Sequence, residues 1–189
     1  MENFSLYNPT KIIFGKEVVN QLGDEAAKIG QRALVIIGKN SVKKSGLYDR
    51  VLNLLNTQNI SHTTYEGIKS NPIYQHADEA VSLAKSFKVD MIIALGGGSV
   101  IDTAKAVAMG YYHEGSVWDF YEQKVKPQKA LPLINVLTLA ATGTEMNAST
   151  VIQDTESGMK KGYSHPLLYP KISFLDPTLT YSVPADYTA

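Results

Sequence analysis

The chain has 189 residues, 44% of them hydrophobic and 19% charged, the make-up of an ordinary globular domain. Eighteen basic residues balance eighteen acidic ones, so bulk charge offers no attraction to nucleic acid or to a membrane surface. Cysteine is absent, which excludes a disulfide framework, a thiolate metal site and a cysteine nucleophile. The N-terminus MENFSLYNPTK lacks a basic-then-apolar signal pattern, and no apolar run approaches membrane-spanning length, so a cytoplasmic protein is expected.

In chain order, Phe4-Ser5-Leu6 and Lys11 to Phe14 predict two short strands around Asn8-Pro9, an N-terminal β-hairpin arm. Val18, Leu22, Ala26 and Ile29 recur at helical spacing, predicting a helix over 17–29 that Gly30 stops. Ala33 to Ile37 is a continuous apolar run of the kind buried on both faces of a parallel sheet. It ends in Gly38-Lys39-Asn40-Ser41. A helix over 45–57, a strand over 62–65, a loop over 67–72 and a helix over 74–87 follow.

Met91 to Leu95 then reads as a strand that stops in Gly96-Gly97-Gly98-Ser99, and Val100, Ala104 and Val107 open a helical pattern. A strand, a glycine turn and a helix start together make an anion site. Glycine lets backbone N–H groups approach a phosphate, and the helix dipole favours negative charge there. The spacing is neither GxGxxG nor that of a P-loop, and Ser99-x-x-Asp102 also reads as a capping-box variant needing no ligand.

Further on, 117–121 predicts a short helix and Leu133 to Leu137 a strand. The stretch Thr138 to Glu145 follows, where Thr142-x-x-Glu145 predicts a second helix start. Strands over 149–152 and 172–175 are joined by the turn-rich 154–162, and Asp176-Pro177 and Pro184-Ala185-Asp186 close the chain. Alternating strands and helices with short connections predict an α/β domain with a largely parallel sheet. Ligands of such sheets bind outside the carboxyl ends of the strands. Three turns there suit a dinucleotide: 38–41, 96–99 and 138–144. Lys39, Asn40 and Ser41 stand where an NAD site usually carries a carboxylate, and Lys43 and Lys44 follow, so a 2′-phosphate and hence NADP(H) is favoured.

The segment GGGSVIDTAK, with Gly96, Gly97, Gly98, Ser99, Asp102 and Lys105, resembles the signature of iron-containing (group III) alcohol dehydrogenases, in particular NADPH-dependent butanol dehydrogenases. FSLYNPTKIIFGK, GKNSVKKSG, Ser70-Asn71-Pro72, LTLAATGTEMN and FLDPTLTYSVP are similar to that family in the same order, so the resemblance spans the chain. It implies one Rossmann-like, dehydroquinate synthase-like N-terminal domain over 1–189 that binds NADP(H) and serves reduction of an aldehyde or oxidation of an alcohol. By resemblance, Gly97, Gly98 and Ser99 cradle the pyrophosphate and Asp102 lies near the nicotinamide end. Asn71, Thr138, Thr142, Asn147, Lys160 and Leu179 line the cofactor cleft, and Lys39 replaces the Asp of NAD-using relatives.

The family continues into a helical domain whose Asp and three His hold a divalent metal, iron or zinc; the first of these ligands is expected just past Ala189, so that domain is absent here. His62, His76, His113 and His165 form no HxxxH or HxxH pair, and no nucleophile-elbow pattern occurs. No catalytic residue or metal ligand is therefore assigned, and the chain alone is expected to be inactive. A non-catalytic NADP(H)-binding module and a polyol dehydrogenase of the same scaffold remain alternatives. The N-terminal arm offers an edge to a second copy, a homodimer, and the missing domain would leave a face exposed to self-association.

Overall fold

A computed structural model describes residue 3, residue 5, residues 7–181 and residue 183. The sheet is built from the apolar runs. β1 (Lys11–Phe14), β2 (Arg32–Ile37), β3 (Ser61–Tyr65), β4 (Met91–Gly96), β5 (Leu133–Leu137) and β8 (Ile172–Leu175) form six strands in the order β1-β8-β5-β4-β2-β3. Every pairing among them is parallel. The remaining strands, β6 (Ser149–Gln153) and β7 (Lys160–Ser164), make a separate antiparallel hairpin.

Helices cover both faces of the sheet, which is why the central strands lack polar alternation. On one face Ala33, Val35 and Ile37 meet α1 (Leu22–Ala27), α2 (Ser41–Lys44) and α3 (Leu47–Thr57) through Leu22, Val42, Val51 and Leu55. On the other, Leu34, Ile36 and Ile92 meet α4 (Tyr74–Phe87), α5 (Gly98–Gly110) and α6 (Trp118–Tyr121). From β2 the chain goes outward to β3, then returns to β4 on the other side of β2. The crevice at the carboxyl ends of β2 and β4 is thus the topological switch point of the sheet.

Several expectations change. β1 pairs in parallel with β8 on one edge, with Lys11 opposite Ile172. Its proposed partner includes Phe4 and Leu6, which lie outside the described residues, as does Pro184-Ala185-Asp186. The helix expected over 17–29 is a 3-10 turn (Val18–Gln21) followed by the shorter α1. The helix over 45–57 starts at Leu47, because Gly46 stands in the left-handed region at φ 76° and separates α3 from α2. Within 154–162, turn residues yield to a strand at Lys160. No helix opens at Thr142. Gly143, at φ 66°, leads instead into a three-residue 3-10 turn (Thr144–Met146) and then an extended Asn147.

The helical stripe read from Val100, Ala104 and Val107 understates α5. The sheet, α4 and the β6–β7 hairpin enclose it, and Val100, Ile101 and every residue from Thr103 to Gly110 are buried, Lys105 included. No helix among the described residues is long and apolar enough to cross a membrane.

Candidate functional site: the carboxyl edge of the sheet

The Gly96–Ser99 turn lies where β4 becomes α5. Gly97 is the N-cap, in an extended conformation (φ −88°, ψ −167°), and its carbonyl accepts from Val100 N at 3.0 Å and Ile101 N at 3.2 Å. The N–H groups of Gly98 and Ser99, in the first turn of a 13-residue helix, have no intrahelical acceptor. Both residues are half-buried. The helix therefore presents bare donors and the positive end of its dipole at the switch point.

Close approach, not backbone conformation, explains the glycines. None of the three has a positive φ. A Cβ on Gly96 would fall 2.6 Å from Val100 Cγ2, and one on Gly98 2.8 Å from Thr142 Oγ1. On Gly97 it would meet Leu139 Cβ at 3.3 Å. The capping-box reading of Ser99 fails, because Ser99 is inside the helix and Asp102 looks elsewhere.

The first turn borders this one. A Cβ on Gly38 would stand 3.8 Å from Val100 Cγ2, and Gly67 N donates to Gly38 O at 3.1 Å. Lys39, Asn40 and Ser41 are exposed. Lys43 is not free for a 2′-phosphate, since its ammonium pairs with Glu66 at the end of β3 and is held above its usual range by that carboxylate. Sequence reading missed Glu66. Glu66 follows β3, and parallel pairing of β2 with β3 carries it to the edge where a carboxylate after β2 would stand.

The third turn is tied to the second. Thr138 N donates to Gly96 O at 3.1 Å, and Thr142 flanks Gly98. Beyond it, Lys105 Nζ donates to Thr144 Oγ1 (2.9 Å), Asn147 O (2.8 Å), Asn147 Oδ1 (3.1 Å) and Ser149 O (2.8 Å). Burial pushes this ammonium down to about 8, against the pull of Asp102 and Glu145. Asp102 faces the same segment. Its Oδ1 accepts from Thr144 Oγ1 at 2.6 Å and its Oδ2 from Val151 N at 3.0 Å, while burial raises its carboxyl above the usual range. Both Asp102 oxygens are thus engaged with the protein.

Lys160, at the start of β7, donates to Asn71 Oδ1 at 2.9 Å, and Gln153 N donates to Pro72 O at 2.8 Å. The hairpin is so fastened to the loop before α4. Leu179 lies in a 3-10 turn after β8 (Pro177–Thr180) and packs half-buried on the α1–α3 side. The structure therefore gathers Gly38 with Val100, Gly98 with Thr142, and Asn71 with Lys160 along one edge, and leaves Leu179 apart from these contacts. A cavity of about 460 Å³ bordered by Met109, His113 and Phe120 lies at the opposite, amino edge, where α5 ends.

Three of the four histidines make local hydrogen bonds, while His76 Nδ1 is buried without a partner among the described residues. His62 Nε2 is 3.1 Å from Asn56 Oδ1, His113 Nε2 is 3.1 Å from Asp119 Oδ2, and His165 Nδ1 accepts from Leu167 N at 3.3 Å. Among the described residues no three His, Cys, Asp or Glu side chains gather to hold a metal ion, so these residues do not fit the iron or zinc of the resemblance.

The family model for iron-containing alcohol dehydrogenase matches residues 9–177, nearly the whole of this edge and its sheet. The chain belongs to that family. It is 43% identical over 188 residues to a probable NADH-dependent butanol dehydrogenase of Bacillus subtilis (strain 168), covering 100% of this chain and 49% of the relative. It is 37% identical over 187 residues to an NADPH-dependent aldehyde reductase of Escherichia coli (strain K12), covering 97% and 48%. The crystal structure of NADH-dependent butanol dehydrogenase A from Thermotoga maritima superposes with a TM-score of 0.95 at 42% identity, over 100% of this chain and 48% of that one. The chain thus spans about half the length of the curated relatives it matches.

Proposed function

We propose that this chain is the dinucleotide-binding half of a nicotinamide-dependent alcohol dehydrogenase or aldehyde reductase acting on a small alcohol or aldehyde. One observation carries the reading: a helix start with free N–H donors opens at the switch point of a parallel sheet, flanked by two polar turns. Bound nicotinamide would supply the hydride chemistry. Gly97, Gly98 and Ser99 hold the pyrophosphate, Gly38 to Ser41 the adenosine ribose, and Thr138, Thr142, Asn147, Asn71 and Lys160 the wall beyond. Leu179 lines its far side. Asp102 acts from behind Ser99, through the hairpin it grips.

We assign NADP(H) as the preferred cofactor, since Lys39, Asn40 and Ser41 offer donors and the turn itself carries no carboxylate. NAD(H) is the second reading. Glu66 stands at the same edge and takes up Lys43, and the Bacillus and Thermotoga relatives are called NADH-dependent. Titration of the chain with NADPH and with NADH separates the two: tighter NADPH supports the first, while equal or reversed affinity rejects it. Lys39→Asp is then expected to weaken NADPH about tenfold or more relative to NADH, a like-charge contact costing at least about 1.4 kcal/mol.

The described residues gather no metal site, so the chain alone is expected to show no aldehyde reduction. Chelator-sensitive NADPH oxidation by the purified chain would overturn that. Among the described residues β1 is the outermost strand, with Phe14 71% exposed, and a homodimer through this edge is expected. Sedimentation as a monomer at high concentration would reject the dimer.

A further inference from the structure

Lys105 is fully buried, at 0% exposure, yet carries a charge that no carboxylate touches directly. A buried ammonium needs its hydrogen bonds met, and here all its acceptors lie on the segment 144–149. Its three N–H groups share four acceptors, and two of these belong to one residue, Asn147. The Asn147 Oδ1 accepts a further bond from Ser149 N at 2.9 Å.

Both groups facing that oxygen, an ammonium and a backbone N–H, can only donate. They fix which end of the amide faces inward: oxygen toward Lys105, nitrogen away. Nδ2 consequently points to the Thr138–Gly143 turn, where it would lie 3.9 Å from a Cβ on Gly143. It makes no hydrogen bond within the described residues, and Asn147 is only half-buried.

We propose that Lys105 is a positioning residue: by holding Asn147 O and Oδ1 from beneath, it aims the two N–H donors of Nδ2 into the cleft beside α5. This rests on the dinucleotide reading above. In an open sheet of this kind one mononucleotide lies on each side of the switch point. The adenosine side is that of β2 and β3, and Asn147 stands on the side of β5 and β8, so its partner is the nicotinamide half of the cofactor.

That placement separates positioning from mere stability, because ADP occupies only the adenosine side and the α5 start. Asn147→Asp keeps both acceptor bonds to Lys105 and Ser149 N but exchanges the outward donor for an acceptor. We expect this variant of the 189-residue chain to bind NADPH and NADH roughly tenfold more weakly, with ADP affinity within about twofold of wild type. Lys105→Met, assayed where circular dichroism shows it folded, is expected to give the same split. The double variant should be no weaker than the weaker single one, since both act on one group. Asn147→Asp with wild-type dinucleotide affinity, or equal losses for ADP and dinucleotide, would overturn the proposal. A wild-type chain that binds ADP and dinucleotide while both single variants do so unchanged defeats this inference alone. A wild-type chain that binds neither defeats the dinucleotide reading with it.

Discussion

The turns after β4 and β5 leave adjacent strands and share a local signature, a hydroxyl residue followed three places later by a carboxylate: Ser99 with Asp102, Thr142 with Glu145. One opens a 13-residue helix, the other a three-residue 3-10 turn, and in neither does the hydroxyl act as the cap. The difference lies downstream. After Ser99 comes an alanine-rich stretch, good helix material. After Thr142 come Gly143 in the left-handed region and then the β-branched Thr150-Val151-Ile152, which pair as a strand. A capping pattern therefore reports a helix only when the next ten residues can continue one. The second turn is held from outside itself, by Lys105 and Asp102 of the helix that the first turn opens.

That dependence is open to test. The largest effect is expected from Lys105→Met, which leaves four acceptors on 144–149 without their donor and removes a compensating charge from Asp102 and Glu145. A loss of about 3 kcal/mol or more in urea unfolding is expected. The sign of its pH dependence follows from linkage. Lys105 titrates at about 8 when folded against its ordinary 10.5, so between these values the unfolded chain binds more protons. Wild-type stability relative to Lys105→Met should rise across that window; a gap that narrows there would reject burial as the dominant influence on Lys105.

Asp102→Asn comes next. An amide nitrogen would then face either Val151 N–H or the Thr144 hydroxyl, and unfolding should show a cost of about 1–3 kcal/mol. Gly98→Ala presses a methyl against Thr142 Oγ1 and is expected to cost about 1 kcal/mol. The cost should disappear in a Thr142→Ala background, a non-additivity that a double-mutant cycle would show. Smallest of all are Ser99→Ala and Thr142→Ala alone. A true N-cap costs about 1 kcal/mol when removed, but these should change stability by less than about 0.5 kcal/mol. A larger loss at either would restore the capping reading.

Much of the fold was legible because its signals are local. Met91 to Leu95, Leu133 to Leu137 and the helix over 74–87 announce themselves by period and bounding residues, and the structure has them within a residue. Glu17 to Ile29 was only partly right, a 3-10 turn followed by the shorter α1, because apolar spacing cannot tell an α-helix from a 3-10 turn that packs the same Val18 and Leu22. At the candidate site, the glycine turn was visible, but the reason for its glycines was not: Val100 and Thr142 exclude a side chain only once α5 and the third turn are packed. Lys160 is placed at the cleft by resemblance alone, with no local signal for its partner. Its bond to Asn71 spans 89 residues of sequence.

The sequence by itself determined an α/β chain whose strands end in polar or glycine turns, together with the family to which it belongs. Those features are written in hydrophobic period, turn chemistry and short motifs, each contained within a few neighbouring residues. Only the tertiary structure decided that β1 pairs with β8, and that Glu66 shares an edge with Lys39. It alone made Lys105 the support of a segment 42 residues away. Parallel pairing joins strands that are distant in sequence, and a buried charge must find its partners wherever the packing brings them.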